Sequence, residues 1–344
     1  MKPEFLTGNE KRFFEFMGNL NEKDKIAILS HNDSDGLCCA VIASKILGKV
    51  DYIRFMSYSP NMLKEVIAVL RKKKTNKIFI FDISLDSEAE NIAEISKFGE
   101  ILIIDHHKFE KDLNSEKIVF IKTETKFPAS YCCYYLFSKI QKIPSWIAAL
   151  GIIADRVDRY NAKNCQEVSK DFNFDECGNL WGIVNEVNLA LIYFRGNEKK
   201  LYDLFMESEN SQNINLKKYA DVVRKEVKKI LEDFEKNHDL HERLKIYFFK
   251  SKFNLSSLIS TILSIQKYSD STIIILSDYG KYIKVSARDT ISRVDCVELL
   301  KRAIEGIPES NSGGHKVAAG AEIPHKYLSQ FKKNLIKAYD EMKN

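Results

Sequence analysis

The sequence predicts an α/β protein: a parallel-sheet N-terminal domain, a helical connector and a smaller α/β C-terminal domain. Three observations carry this expectation. Short β-branched and apolar runs alternate with longer helical patterns through the first half, the alternation that builds a parallel sheet with crossover helices. A long amphipathic helix follows, and beyond it a second β-rich pattern begins. With 344 residues, 44% apolar and 29% charged, the chain exceeds the size at which one hydrophobic core usually stops growing.

The first-domain strands are predicted at residues 25–30, 77–84, 100–104 and 117–121, runs too short for helices and too apolar for loops. Segments 36–47, 61–73, 87–98 and 130–140 have the length of crossover helices, and another helix runs from 144 to about 160. Leu216, Tyr219, Val223, Val227, Ile230 and Phe234 then recur at spacings of three and four, the stripe of an amphipathic helix. Further on, strand 244–249 and helix 255–265 precede strands 272–276 and 282–287, which flank the hairpin signal Asp278-Tyr279-Gly280. A stripe of Leu328, Phe331, Leu335, Tyr339 and Met342 closes the chain. These elements place the domains at 1–185 and 244–344, with the connector at 186–243.

Composition narrows the function classes. The longest apolar stretch, 146–154, falls far short of the roughly 20 residues of a membrane span. No apolar leader opens the chain, so a cytoplasmic location without membrane association is expected. Seven cysteines include the adjacent pairs Cys38-Cys39 and Cys132-Cys133 and no C-x-x-C, a pattern of buried thiols. The net charge of +5, from 53 Lys plus Arg against 48 Asp plus Glu, permits an anionic partner without requiring one. Basic runs at 71–74 and across 217–229 suit solvated helix faces or nucleic-acid contact.

The chemistry gathers at strand ends. The first strand runs into His31-Asn32-Asp33-Ser34-Asp35-Gly36, the second carries Asp82 near its end, and the third ends in Asp105-His106-His107. Asp155 follows the apolar Gly151-Ile152-Ile153-Ala154. In a parallel sheet the carboxyl ends share one edge, where such folds bind ligands. Partly desolvated carboxylates repel one another unless cations neutralise them. Several Asp with two or three His suit Mn²⁺, with Mg²⁺ as a substitute, and so many ligands suffice for two ions sharing a carboxylate, the arrangement of phosphoryl hydrolysis. Each element also has a structural reading: Asp33, Asp35 and Gly36 as turn and helix cap, Asp82 as a cap, the histidines as polar strand-end residues, Asp155 as an ion-pair partner.

These motifs, in this order, resemble the DHH phosphoesterase superfamily: His31-x-Asp33-x-Asp35-Gly36, the strand-end Asp82, Asp105-His106-His107 and Gly151-Ile152-Ile153-Ala154-Asp155. Ser312-Gly313-Gly314-His315 resembles the glycine-rich signature of the DHHA1 substrate domain, and Ser286-Ala287-Arg288 its Ser-x-Arg strand. Ser312 stands where the family has a first glycine, and Lys316 where it often has proline. The layout is most similar to the archaeal RecJ-like single-strand exonucleases. The resemblance implies one metal held by His31, Asp33 and Asp82, and a second held by Asp35, Asp82, His106 and Asp155, with Asp82 bridging. It implies that His107 faces the scissile phosphate and that Asp105 orients a neighbouring group. It further implies a metal-activated water as nucleophile and a nucleoside 5′-monophosphate as product. Arg288, Gly313, Gly314 and His315 would bind the substrate end.

The expected function is a two-metal exonuclease on single-stranded DNA or RNA, with replication or repair proteins as compatible partners. The alternative is a nanoRNase-like hydrolase of short oligonucleotides, pAp or dinucleotides. The C-terminal glycine motif argues against the related inorganic pyrophosphatases, and the complete ligand set argues against a non-catalytic scaffold.

Overall fold

In the computed structural model, residues 2–59, 61–155, 177–210 and 214–342 are described. The chain divides into two compact units, residues 1–220 and 221–344.

The first unit is built on a six-stranded sheet. Its strands are β1 (Phe5–Thr7), β2 (Ile26–His31), β3 (Tyr52–Met56), β4 (Lys77–Phe81), β5 (Glu100–Asp105) and β6 (Ile118–Thr123), in the order β1-β6-β5-β4-β2-β3. All neighbours are parallel except β1 against β6. Strand residues alternate between two cores. Ile28, Phe79, Phe81, Leu102 and Ile104 face one helical layer, in which α1 (Glu10–Gly18), α2 (Ser34–Leu47), α5 (Ala129–Phe137) and α6 (Ser145–Asp155) lie. Leu29, Ile78, Ile80, Ile101 and Ile103 face α3 (Lys64–Lys73) and α4 (Ala89–Ser96). Burial on both faces explains why these strands read as continuous apolar runs. Chain order reverses between β2 and β4, because β3 lies on one side of β2 and β4 on the other.

Two strands of the first unit have no counterpart in the sequence reading: β1, of three residues, and β3, an edge strand whose apolar residues are interrupted by Arg54. The helix expected at 144–160 is seen as Ser145–Asp155, and its remainder lies outside the described residues. Helices α7 (Cys177–Tyr193) and α8 (Lys199–Glu207) bury Val187, Ala190, Leu201, Tyr202 and Phe205 in the first unit's core. The early part of the expected 186–243 connector is therefore core. The unit boundary falls inside α9 (Lys217–Asn237).

The second unit has strands β7 (Asp239–His241), β8 (Leu244–Lys250), β9 (Thr272–Asp278), β10 (Tyr282–Arg288), β11 (Asn311–His315) and β12 (Ala318–Pro324), ordered β11-β12-β10-β9-β8-β7. Only β8 and β9 are parallel, and α10 (Ser256–Ile262) connects them. The predicted hairpin is present between β9 and β10, where the Gly280 N–H donates to Asp278 Oδ1 at 2.6 Å. Ile283, Val285, Ala287, Ala319, Ala321 and Ile323 form the core face with α11 (Cys296–Ala303) and α12 (Leu328–Met342). The glycine motif forms a strand, β11, because residues 311–315 pair in register with β12.

Candidate metal centre

The acidic and histidine residues reach one edge of the first sheet from the ends of three strands and one helix. β2 ends at His31, and Asp33 then caps α2 by accepting the Gly36 N–H on Oδ1 at 2.9 Å. Gly36 is required there, since a Cβ would collide with the His31 carbonyl oxygen. β4 ends at Phe81, and Asp82 takes a left-handed conformation with φ 57°, its N–H donating to the Ile104 carbonyl at 3.0 Å. That backbone costs about 1–3 kcal/mol in a non-glycine residue and persists where surroundings and function require it. β5 ends at Asp105, with His106 and His107 next, and α6 ends at Asp155. His31 and Asp82 thus flank the β2/β4 reversal point, where open α/β sheets bind ligands.

Two donor groups share Asp82. His31, Asp33 and Asp82 form one, and Asp82, His106 and His107 the other, the ligand atoms of each group lying within 4.8 Å of one another. His31 Nδ1 stands 2.9 Å from Asp33 Oδ2 and 3.7 Å from Asp82 Oδ2. On the other side, His106 Nε2 is 3.4 Å from Asp82 Oδ1, and His107 Nδ1 is 3.8 Å from it. His106 Nδ1 lies 3.3 Å from the Thr125 carbonyl oxygen, so Nδ1 is a donor and Nε2 is the nitrogen turned to the carboxylates. Asp155 Oδ1 and Asp35 Oδ2 each lie 4.0 Å from that Nε2.

The decisive observation is Asp82 itself. It is 1% exposed, and among the described residues neither carboxylate oxygen has a hydrogen-bond partner. A buried carboxylate left so costs several kcal/mol. The separations of 3.7 Å from His31 Nδ1 and 3.4 Å from His106 Nε2 are longer than ordinary hydrogen bonds, yet they suit oxygens and nitrogens that each sit about 2.1 Å from a shared cation. The donor set therefore fits divalent cations, with Asp82 common to both groups.

Protons occupy this cluster when cations do not. Burial works against a charged His31, but Asp33 and Asp82 outweigh it and push the imidazole up to about 10. His106 is likewise raised to about 10, because Asp82, Asp35 and Asp155 overcome its burial. Burial and neighbouring carboxylates also raise Asp35 and Asp82 above the usual carboxylate range.

Asp35 is placed differently from the other acids. It is 2% exposed and caps α5: Oδ2 accepts the Ala129 N–H at 2.8 Å, and Oδ1 accepts the Ser130 N–H at 3.1 Å and the Ser130 hydroxyl. Gly151 makes room for it, because a Cβ there would strike the Ser130 side chain and stand 2.9 Å from Asp35 Oδ1.

Two further residues escaped the sequence reading. Lys122 is fully buried at 1% exposure, and its ammonium binds Asp105 Oδ2, opposite which it lies in the β5/β6 register. Asp105 Oδ1 in turn holds His107 Nδ1 at 2.7 Å. Burial alone would raise the Asp105 carboxyl, but His107 and Lys122 hold it below the usual range. With Nδ1–H given to Asp105, His107 keeps Nε2 for an incoming group. The signal for Lys122 was a lysine at the end of an otherwise apolar strand. Tyr58 stands over the same histidine, its hydroxyl 3.3 Å from Nε2, while the ring lies 4.8 Å from that of His31. No sequence signal marked Tyr58, because it follows the unanticipated β3.

In the second unit the sheet register assembles the other motif residues. Ser286, Gly320 and Gly313 form one cross-strand row, and Arg288, Ala318 and His315 the next. Residues directly opposite share a face, so Ser286, Arg288, Gly313 and His315 lie together on the face turned from the core, while Gly314 belongs to the other face. Beside α10 this face carries a cavity of about 380 Å³ lined by Lys284, Ser286, Arg288, Asn311 and Ser257. Arg288 donates to Ser257 Oγ at 3.2 Å. Gly313 and His315 are exposed on the edge strand.

The relatives share this architecture. The chain matches the DHH family, N-terminal domain, over residues 25–167 and the DHHA1 domain over residues 246–343. It is 29% identical over 102 residues to oligoribonuclease NrnB of Bacillus subtilis (strain 168), a match covering 28% of this chain and 26% of NrnB, about a quarter of that relative. Its structure resembles exonuclease RecJ bound to manganese, with 16% identity, a TM-score of 0.71 and coverage of 99% and 95% of the two chains. It also resembles RecJ from Thermus thermophilus in complex with Mn²⁺, with 14% identity, a TM-score of 0.69 and coverage of 98% of this chain and 56% of RecJ. At those identities the structural likeness establishes the fold. With both domains present in this order, the chain belongs to the DHH/DHHA1 phosphoesterase superfamily.

Proposed function

We propose that the protein is a two-metal phosphodiesterase that acts as an exonuclease on single-stranded DNA or RNA and releases nucleoside 5′-monophosphates. The observation that supports this most directly is the Asp82 carboxylate, buried, without hydrogen bonds among the described residues and shared by two donor groups. His31, Asp33 and Asp82 would hold one cation; Asp35, Asp82, His106 and Asp155 would hold the other. Divalent cations, Mn²⁺ or Mg²⁺, supply neutralisation of phosphoryl oxygens and activation of water when bound.

The chain's own residues do the rest. Lys122 fixes Asp105, and Asp105 fixes the His107 ring, so that Nε2 is directed at the phosphoryl group and meets developing charge without reorganisation. Tyr58 places a hydroxyl beside that nitrogen. In the second unit, Arg288 offers a planar fork to a phosphate.

A second reading, hydrolysis of short oligonucleotides, draws support from the similarity to oligoribonuclease NrnB. A time course with Mn²⁺ separates the two. Single-stranded RNA and DNA of about 20 nucleotides, labelled at either end, are compared with a dinucleotide, with Asp82→Ala as control. Progressive shortening of the long strands is expected. Cleavage of the dinucleotide alone establishes the second reading, and no cleavage of any substrate sinks both.

A further inference from the structure

Beside the metal edge, the first unit carries a cavity of about 540 Å³ that none of the candidate metal ligands lines. Its walls are the outer part of β3 with Ile53, Arg54 and Phe55, the pair Asn32 and Ser57, and the 195–199 turn between α7 and α8. The volume lies within the roughly 300–1,000 Å³ of small-ligand sites.

Asn32 and Ser57 join this cavity to the metal centre. Asn32 sits between His31 and Asp33 in the chain, and Ser57 directly precedes Tyr58. The two are tied together, since Asn32 Nδ2 donates to Ser57 Oγ at 2.7 Å and the Asn32 N–H donates to the Met56 carbonyl at 3.0 Å. One short stretch of backbone thus presents metal ligands on one side and a cavity wall on the other.

The lining has the chemistry of a nucleoside site. Phe55 is half-buried and held by Tyr202, ring centroids 6.1 Å apart, which leaves an apolar surface for a base to lie against. β3 is the edge strand, and among the described residues no strand pairs with its outer side, so main-chain donors and acceptors are offered to a base edge beside the Asn32 amide. Arg54 and Lys199 add positive charge at the rim, although each has an acidic neighbour, Glu65 at 3.2 Å and Asp203 at 2.7 Å. Stacking and hydrogen bonding therefore suit the ligand, beside the lining cations Arg54, Arg195 and Lys199.

We infer that this cavity is a nucleoside subsite that receives the nucleoside adjoining the scissile phosphate. The inference rests on the phosphodiesterase reading and deepens it, because a nucleoside so placed makes nucleotide diesters better substrates than simple diesters.

The test compares a dinucleoside monophosphate with methyl 4-nitrophenyl phosphate, a diester without nucleosides, in Mn²⁺. Phe55→Leu removes the ring while keeping an apolar side chain, and Asn197→Trp fills the cavity from its exposed rim. Each is expected to lower the kcat/KM preference for the dinucleotide about tenfold, with thermal unfolding as the control for folding. A purely structural role lowers both substrates together and leaves the preference unchanged. Unchanged preference in both variants, or a wild type that does not favour the dinucleotide, overturns the subsite while the phosphodiesterase reading stands. A wild type that cleaves neither of these diesters nor the longer strands removes that reading, and the subsite falls with it.

Discussion

The two units present their motif residues in opposite ways. In the first, carboxylates and imidazoles meet at the ends of parallel strands, and the central one, Asp82, is buried without a hydrogen bond among the described residues. In the second, Ser286, Arg288, Gly313 and His315 lie in adjacent rows on the open face of a largely antiparallel sheet. A buried cluster of like charge has few solutions, because desolvation and repulsion leave cations or protons as the only means of neutralisation. An open polar face is already hydrated, so its side chains tolerate an empty site and specify an anion only loosely. The same contrast ranks the expected effects of substitution.

The largest belongs to Asp82. Asp82→Ala takes a ligand from both donor groups and is expected to lower hydrolysis about 10³-fold or more, while calorimetric metal titration shows weakened binding and circular dichroism an intact fold. Turnover near wild type would break the two-metal assignment.

Lys122→Met comes next. It leaves Asp105 buried without its cation, which costs about 3–5 kcal/mol in denaturant unfolding, and it frees His107 to turn, lowering kcat about 10–100-fold. A variant as stable as wild type would show that the buried ion pair does not organise the site.

On the open face, Arg288→Ala is expected to raise KM about tenfold, the loss of roughly one charge-assisted contact, with metal binding and folding unchanged. If kcat falls and KM does not, Arg288 acts on the reacting phosphate rather than the substrate end.

The pH dependence is the gentlest probe. His31 and His106 carry protons up to about 10 in the cation-free protein, and each must lose its proton to bind a metal. Metal affinity should therefore rise with pH between about 6.5 and 10, about tenfold per unit for each proton displaced. Titration in buffers of different ionisation enthalpy reads the protons released, and none released would contradict the histidine assignments. The same protons stabilise the cation-free fold below about 6.5, and that contribution is lost as pH rises through about 10.

Much of the first unit was legible because its central strands are apolar on both faces and bounded by Asp or His, so strand and motif could be read together. β3 was not legible. It lies at an edge with its residues half-exposed, so its composition resembles a loop, and with it went Tyr58 and the cavity beside Asn32. The roles of Asp33 and Asp35 also needed coordinates, since one caps α2 while standing in the donor group with His31, and the other caps α5.

The sequence by itself determined the central apolar strands, the family and the set of acidic and histidine residues, because strand periodicity and short motifs are local properties of the chain. Tertiary structure alone decided that Asp82 is buried without a hydrogen bond among the described residues, that Lys122 holds Asp105, and that Arg288 shares a face with Gly313 and His315. Those relations join residues far apart in the chain, and they are set by strand order and register, which no local pattern specifies.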